Sequence, residues 1–205
     1  MSKRPLIAIS QRVDQKPARA ETRDALDQRF TAWVFALGGI SLPVPNSLGD
    51  ELAGWMADLA PVAVLLTGGN DIGESIERDG TEAGLLAYAK HFKLPVLGIC
   101  RGMQMLAHQA GGTLVPVTGH AGTRHALHGN EVMSGIIPAE VNSFHNWGLS
   151  SCPSGYTVLA TASDGSIEAM RHGVYRWEGW MWHPEREAQF GDLEIARARQ
   201  LLIGD

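Results

Sequence analysis

The 205-residue chain has only two cysteines, Cys100 and Cys152. Two are too few for a disulfide framework, and they lack the paired spacing of a thiolate zinc site. Each needs its own explanation. No apolar run is long enough to span a bilayer, and Met1-Ser2-Lys3-Arg4-Pro5 leads into a short β-like run without the apolar core of a signal peptide. The expected location is the cytoplasm, with no membrane partner. Positive charge is also scarce. The 17 Lys and Arg stand against 22 Asp and Glu, a formal charge of -5 that provides no bulk attraction for nucleic acid. Repeats, low-complexity tracts and linkers are missing too. With 44% hydrophobic and 19% charged residues, the length suits one filled core, so a single domain over 1–205 is expected.

Strand and helix signals alternate through the first half. Pro5 to Ser10 reads as a strand, and Leu26, Phe30, Trp33, Val34 and Leu37 follow at helical spacing until Gly38-Gly39. Ile40 to Val44 with the segment from Asp50 forms a second unit. Val62 to Leu66 is a continuous apolar run of the kind buried on both faces of a parallel sheet, and Thr67-Gly68-Gly69-Asn70-Asp71 is a glycine loop at its carboxyl end. Residues 81 to 93 read as a helix and Leu94 to Ile99 as the next buried strand. Strands around Val141 to Phe144, Thr157 to Thr161, Ile167 to Met170 and Gly179 to Trp182 precede a helix from about Leu193 to Leu202. This order predicts a three-layer α/β fold with a mostly parallel central sheet and a ligand site at the strands' carboxyl ends.

Gly98-Ile99-Cys100-Arg101-Gly102 sets a cysteine between two glycines where a buried strand turns into a helix. It is the cysteine counterpart of the Gly-x-Ser-x-Gly elbow, in which small neighbours let a strained turn expose the nucleophile. The helix start favours a thiolate, and the Arg101 amide is positioned to donate to an oxyanion. The plainer reading is a core cysteine at a strand end. A thiol nucleophile needs a base, and the base needs a partner that fixes its tautomer. Trp182-His183-Pro184-Glu185 supplies both: His183 at a strand end, and Glu185 turned back toward it by the proline.

Gly98-Ile99-Cys100-Arg101-Gly102-Met103-Gln104, His183-Pro184-Glu185 and Thr67-Gly68-Gly69-Asn70 together resemble the class I glutamine amidotransferases, and within them the γ-glutamyl hydrolase branch, peptidase family C26. Gly111-Gly112-Thr113-Leu114, Val141-Asn142-Ser143-Phe144-His145 and Asp164-Gly165-Ser166-Ile167-Glu168-Ala169 follow the same order, so the resemblance covers nearly the whole chain. It implies a Cys100, His183 and Glu185 triad that cleaves a γ-glutamyl amide, with an oxyanion hole from amides near Gly69 and Arg101. It also implies a glutamyl pocket at Gln104 and the segment around Ser143, Phe144 and His145. No metal or organic cofactor is required by that chemistry, and the implied partner is a small γ-glutamyl substrate; a homodimer remains open. Ile9-Ser10-Gln11-Arg12-Val13 and the run from Glu21 to Arg29 resemble more narrowly the γ-glutamyl-cytidine-diphosphoramidate hydrolases of bacterial capsule phosphoramidate synthesis. That likeness implies that Arg12 reaches the leaving group. The alternatives are a γ-glutamyl-γ-aminobutyrate-type hydrolase, a glutaminase subunit feeding ammonia to a separate synthase, and an inactive binding module.

Other features point less far. His120, His125 and His128, with Arg124 in what reads as a glycine-rich loop, fit no standard zinc spacing and are expected to read substrate instead. Trp177, Trp180 and Trp182 read as core or cleft wall. Arg12 is expected in the first strand-end loop, and Arg23 and Arg29 on the first helix.

Overall fold

The computed structural model describes residues 3–204. Its strands and helices run in the order β1 (Leu6–Ile9), β2 (Arg12–Lys16), β3 (Glu21–Ala25), α1 (Gln28–Leu37), β4 (Ile40–Pro43), α2 (Leu52–Leu59) and β5 (Ala63–Leu66). Next come α3 (Ile76–Phe92), β6 (Val96–Ile99), α4 (Arg101–Gln109), β7 (Leu114–Pro116), β8 (Ala121–His128), α5 (Asn130–Met133), β9 (Glu140–Phe144) and β10 (Trp147–Leu149). The chain closes with β11 (Tyr156–Ala162), β12 (Ile167–His172), β13 (Trp177–Trp180) and α6 (Asp192–Leu202).

β5 and β6 are buried at every position, as strands covered on both faces must be. They lie inside the run β4-β1-β5-β6-β13, whose strands are all parallel. Beyond β13 the sheet continues through antiparallel β12, β11, β8 and β9. On one face Phe30, Trp33, Val34 and Leu37 of α1 join Leu201 and Leu202 of α6 over Ile7, Ile9, Leu65 and Leu97. On the other, Met56, Leu85, Ala89, Met103 and Leu106 from α2, α3 and α4 cover Ala8, Val64, Leu66 and Val96. The expected three-layer α/β architecture is therefore present, and its parallel half carries the carboxyl-end edge that matters for chemistry.

Three local expectations need correction. Residues 12–25 form a hairpin, β2 paired with β3, before the first helix begins. Asp27 caps α1 by accepting from the Arg29 amide at 2.9 Å, so the helix cannot extend back to Arg23. Arg23 thus stands on β3, bound to Glu21 at 2.7 Å; most of the hairpin is exposed, which erased the apolar alternation that would have announced it. Helix α3 starts at Ile76, ahead of the expected residue 81, where the Ser75 side chain accepts from the Arg78 amide; buried Arg78 and Glu82 interrupt the apolar pattern of its first turns. His125 and His128 lie on β8, not in a loop. The tryptophans are core, as expected: Trp180 and Trp182 stack with centroids 5.3 Å apart.

Candidate active site

Strand β6 stops at Ile99, and Cys100 turns the chain into α4 with φ 53° and ψ -108°. A side-chain-bearing residue held there stores about 1–3 kcal/mol of strain. Its amide donates to the Trp180 carbonyl at 2.7 Å, tying the bend to the end of β13. Both neighbouring glycines are sterically required. A methyl group at Gly98 would collide with the Gly102 carbonyl, and one at Gly102 with that of Leu66.

Because β13 lies parallel to β6, with Trp180 opposite Ile99, the segment that follows it emerges beside Cys100. Pro184–Arg186 form a single 3-10 turn that returns Glu185 to the imidazole, with His183 Nδ1 2.6 Å from Glu185 Oε1. The other edge of the ring faces the cysteine across Gly68. A β-carbon at Gly68 would fall 3.3 Å from His183 Nε2 and 3.7 Å from Cys100 Cβ. Burial pulls the His183 pKa down, but the Cys100 sulfur and the Glu185 carboxylate outweigh it and hold the pKa at about 9. Arg29 secures the turn by donating to the carbonyls of Glu185 and Glu187.

The Thr67–Asn70 loop lies over this pair, with Gly69 at φ 84°. Arg78 holds the loop from below, donating to the carbonyls of Thr67 at 2.8 Å, Gly68 at 3.0 Å and Gly69. Its guanidinium pairs with Glu82 at 3.1 Å, and the Arg101 side chain joins Glu82 and Asp79 in the same buried network. Burial lowers the Arg78 pKa against the opposing pull of Glu82. Arg101 thereby directs its side chain into the protein, while its amide stands at the first position of α4.

The other expected site residues separate into two groups. Gln104 is buried one turn after Cys100 and donates to the Trp147 carbonyl at 3.1 Å. Phe144 is 43% exposed and meets His183 edge-on at 5.9 Å, under the Arg186 guanidinium. Arg12, paired with Asp14 at 3.2 Å, joins Gly69, His183, Phe30 and Arg186 around a cavity of about 160 Å³. In contrast, Ser143 and His145, both buried, turn to His120. Ser143 donates to the His120 carbonyl, and His145 Nε2 lies 3.2 Å from His120 Nδ1. Sequence reasoning quoted Asn142 within a motif but missed what its side chain does, and it missed Arg78, Glu82 and Asp79 altogether. The spacing of Arg78 and Glu82 at i and i+4 was the available signal, and it reads equally well as an ordinary surface pair.

Comparison with known proteins gives the family and the fold. The sequence profile of the peptidase C26 family matches residues 5–185. The chain is 33% identical over 147 residues to a γ-glutamyl-CDP-amidate hydrolase of Campylobacter jejuni, covering 69% of this chain and 70% of that protein. It is 30% identical over 146 residues to one subunit of a glutamine-hydrolysing GMP synthase of Methanobrevibacter smithii, covering 69% and 72%. Among solved structures, a glutamine amidotransferase of Thermotoga maritima superposes with a TM-score of 0.64 at 14% identity, over 90% of this chain and 77% of that one. A protein of Thermoplasma acidophilum described as a GMP synthase subunit gives 0.70 at 20% identity, over 98% and 94%. These two likenesses establish the fold.

Proposed function

From the premise that the chain belongs to the peptidase C26 family, we propose that it is a cysteine hydrolase that cleaves a γ-glutamyl amide bond and releases glutamate. The carrying observation is the alignment of strained Cys100, His183 and fully buried Glu185 at the carboxyl edge of the parallel strands. The Cys100 thiolate attacks the γ-carbonyl to give a tetrahedral oxyanion, which amides at Gly69 and Arg101 stabilise. His183, held as imidazolium by Glu185, gives its proton to the departing nitrogen as the C–N bond breaks. It then takes a proton from water, whose hydroxide attacks the γ-glutamyl thioester; the C–S bond breaks and the thiolate–imidazolium pair is restored. Glutamate is freed.

The proposed leaving group is a cytidine diphosphoramidate. Support comes from the likeness to the Campylobacter jejuni hydrolase and from two guanidiniums, Arg12 and Arg186, on the cavity that His183 lines. The test is glutamate release from a panel of γ-glutamyl amides and phosphoramidates, by the wild-type chain and by Cys100→Ser. Turnover on the phosphoramidate that vanishes in the variant supports the reading; unchanged turnover in the variant refutes it. The match to a GMP synthase component supports a second reading, a glutaminase that delivers ammonia to a partner. On that reading the isolated chain would be nearly inactive with every γ-glutamyl substrate and would gain activity only when the synthase is added.

A further inference from the structure

Behind the cleft, four ionisable side chains converge. His120 precedes β8, His125 lies on it, His145 follows β9 and Glu168 stands on β12. His120, His145 and Glu168 are 4%, 3% and 0% exposed. Neither oxygen of Glu168 has a hydrogen-bond partner among the described residues, nor does Nε2 of His125. A buried carboxylate left in that condition is costly, so its surroundings need an account.

The outer contacts fix the tautomers. His145 Nδ1 lies 3.0 Å from the Trp147 carbonyl, which can only accept, so Nδ1 carries the ring proton. His120 Nε2 lies 2.9 Å from the Asp164 carboxylate and donates to it. With both rings neutral, the inward atoms are then lone pairs. His120 Nδ1 and His145 Nε2 face each other at 3.2 Å, with Glu168 Oε1 at 3.4 and 3.5 Å from them. His125 Nε2 adds a further donor 3.4 Å from Glu168 Oε2, and one ligand atom each from His120, His125 and Glu168 fits within 4.8 Å. Three lone-pair donors gathered this closely repel one another unless a cation sits among them.

The spacing identifies the class of cation. Bonds of about 2.0–2.1 Å at tetrahedral angles separate neighbouring ligand atoms by about 3.3–3.4 Å, and the three inner separations here are 3.2, 3.4 and 3.5 Å. The outer contacts of His120 and His145, one to a carboxylate and one to a main-chain carbonyl, are those that orient imidazole ligands around metals. From this convergence we propose a tetrahedral zinc site formed by His120, His145 and Glu168, with His125 completing the set after a modest turn of its ring. Imidazoles with one carboxylate suit zinc, and all positions are taken by protein, which makes the ion structural.

Its position gives it a purpose. The Trp147 carbonyl that accepts from His145 also accepts from Gln104 at 3.1 Å, and the Glu168 carbonyl accepts from the Met181 amide at 2.8 Å. The ion would tie β8, β9 and β12 together beneath the segments that carry Gln104, Phe144 and His183. It acts as a positioning element, apart from the reacting atoms.

The test uses the full chain carrying Cys100→Ser, which removes the cleft thiolate as a competing zinc ligand. After chelation and dialysis against zinc, about one ion per chain should remain. Zinc at about a hundredfold above its dissociation constant should raise Tm by about 5 °C or more. Glu168→Gln and His125→Gln should each weaken zinc binding by at least about tenfold. Cobalt in place of zinc should give the intense visible absorption of a tetrahedral site. Should Glu168→Gln fail to fold, His125→Gln at the edge of the cluster and the cobalt spectrum carry the test. Failure of the parent chain to take up zinc, or equal affinity in the His125→Gln protein, overturns the proposal and leaves a shared proton as the cation of the cluster.

Discussion

Asn142 holds His183 by both main-chain groups: its Nδ2 donates to the His183 carbonyl at 2.8 Å and its Oδ1 accepts from the His183 amide at 2.9 Å. The same Nδ2 reaches Glu187 at 2.8 Å, so one buried amide fixes the segment that carries both the proposed base and its carboxylate. Asn142→Ala should lower kcat by about tenfold to a hundredfold through misplacement of the imidazole. It should cost about 1–3 kcal/mol of stability through the backbone groups left unpaired. Steady-state kinetics beside thermal unfolding checks both. A stability loss with unchanged kcat would confine Asn142 to the fold.

Cys100 sits in a backbone conformation that glycine adopts freely and a residue with a β-carbon adopts only under strain. Both Cys100→Gly and Cys100→Ala should abolish glutamate release, since neither has a nucleophile. Cys100→Gly should be the more stable of the two by about 1 kcal/mol or more, a Tm difference of about 2–4 °C. Equal melting temperatures would mean that the elbow carries no strain.

On the proposed mechanism Glu185 orients the base without taking its proton, so Glu185→Gln should reduce turnover much less than His183→Ala. In Glu185→Gln the amide oxygen can still accept from His183 Nδ1. Its NH2 then takes the place of Oε2, which has no partner among the described residues. Some stability is lost for that reason. Equal and complete losses of activity in two folded proteins would give the carboxylate a larger share of the chemistry.

The raised pKa of His183 makes a claim about pH. Its value is about 9 in the folded chain against 6.5 for the free side chain, so its stabilisation is present in full below about 6.5 and is lost as pH rises through 9. Leaving-group protonation is lost in the same window, and kcat/KM should fall above about pH 9. Removing the sulfur in Cys100→Ala removes one of the groups that raise the pKa. The His183 resonance, followed by NMR, should therefore titrate at lower pH in that variant. An unchanged midpoint would show that the sulfur and imidazole are not coupled.

The parts of this molecule that could be read in its sequence are those where burial writes a periodic or glycine-marked pattern. Val64 to Leu66, Val96 to Ile99 and the Gly98–Gly102 elbow are of this kind, because two covered faces or a backbone collision leave few residue choices. The β2–β3 hairpin is mostly solvated, so its polar residues carry no alternation. Glu168 looks like a polar break in a strand, and only the fold brings it to His120 and His145. Arg78 and Glu82 are invisible for the opposite reason: charged residues buried as a matched pair leave a helix that looks amphipathic in the wrong places.

Of Arg12, Arg23 and Arg29, only Arg12 lines the cavity with His183. Arg23 is bound to Glu21, and Arg29 is committed to the carbonyls of Glu185 and Glu187. The Arg12 side chain is 53% exposed, and its partner Asp14 is close enough to pre-orient it without burying it. Such a surface pair contributes little to stability, at most about 1 kcal/mol, so Arg12→Ala should leave Tm nearly unchanged. If the leaving group carries phosphates, their oxygens would accept from this guanidinium and from that of Arg186 on the same cavity, and their negative charge would gain from both. Arg12→Ala should then raise KM for a γ-glutamyl nucleotide phosphoramidate by about tenfold, equivalent to one charge-assisted hydrogen bond. KM for glutamine, which has no phosphate to lose contact with, should change far less, and kcat on both substrates should stay close to wild type. Arg186→Ala should shift the same substrate in the same direction. Parallel changes on glutamine and phosphoramidate would instead assign Arg12 to the glutamyl pocket, and the case for a phosphorylated leaving group would then rest on sequence likeness alone.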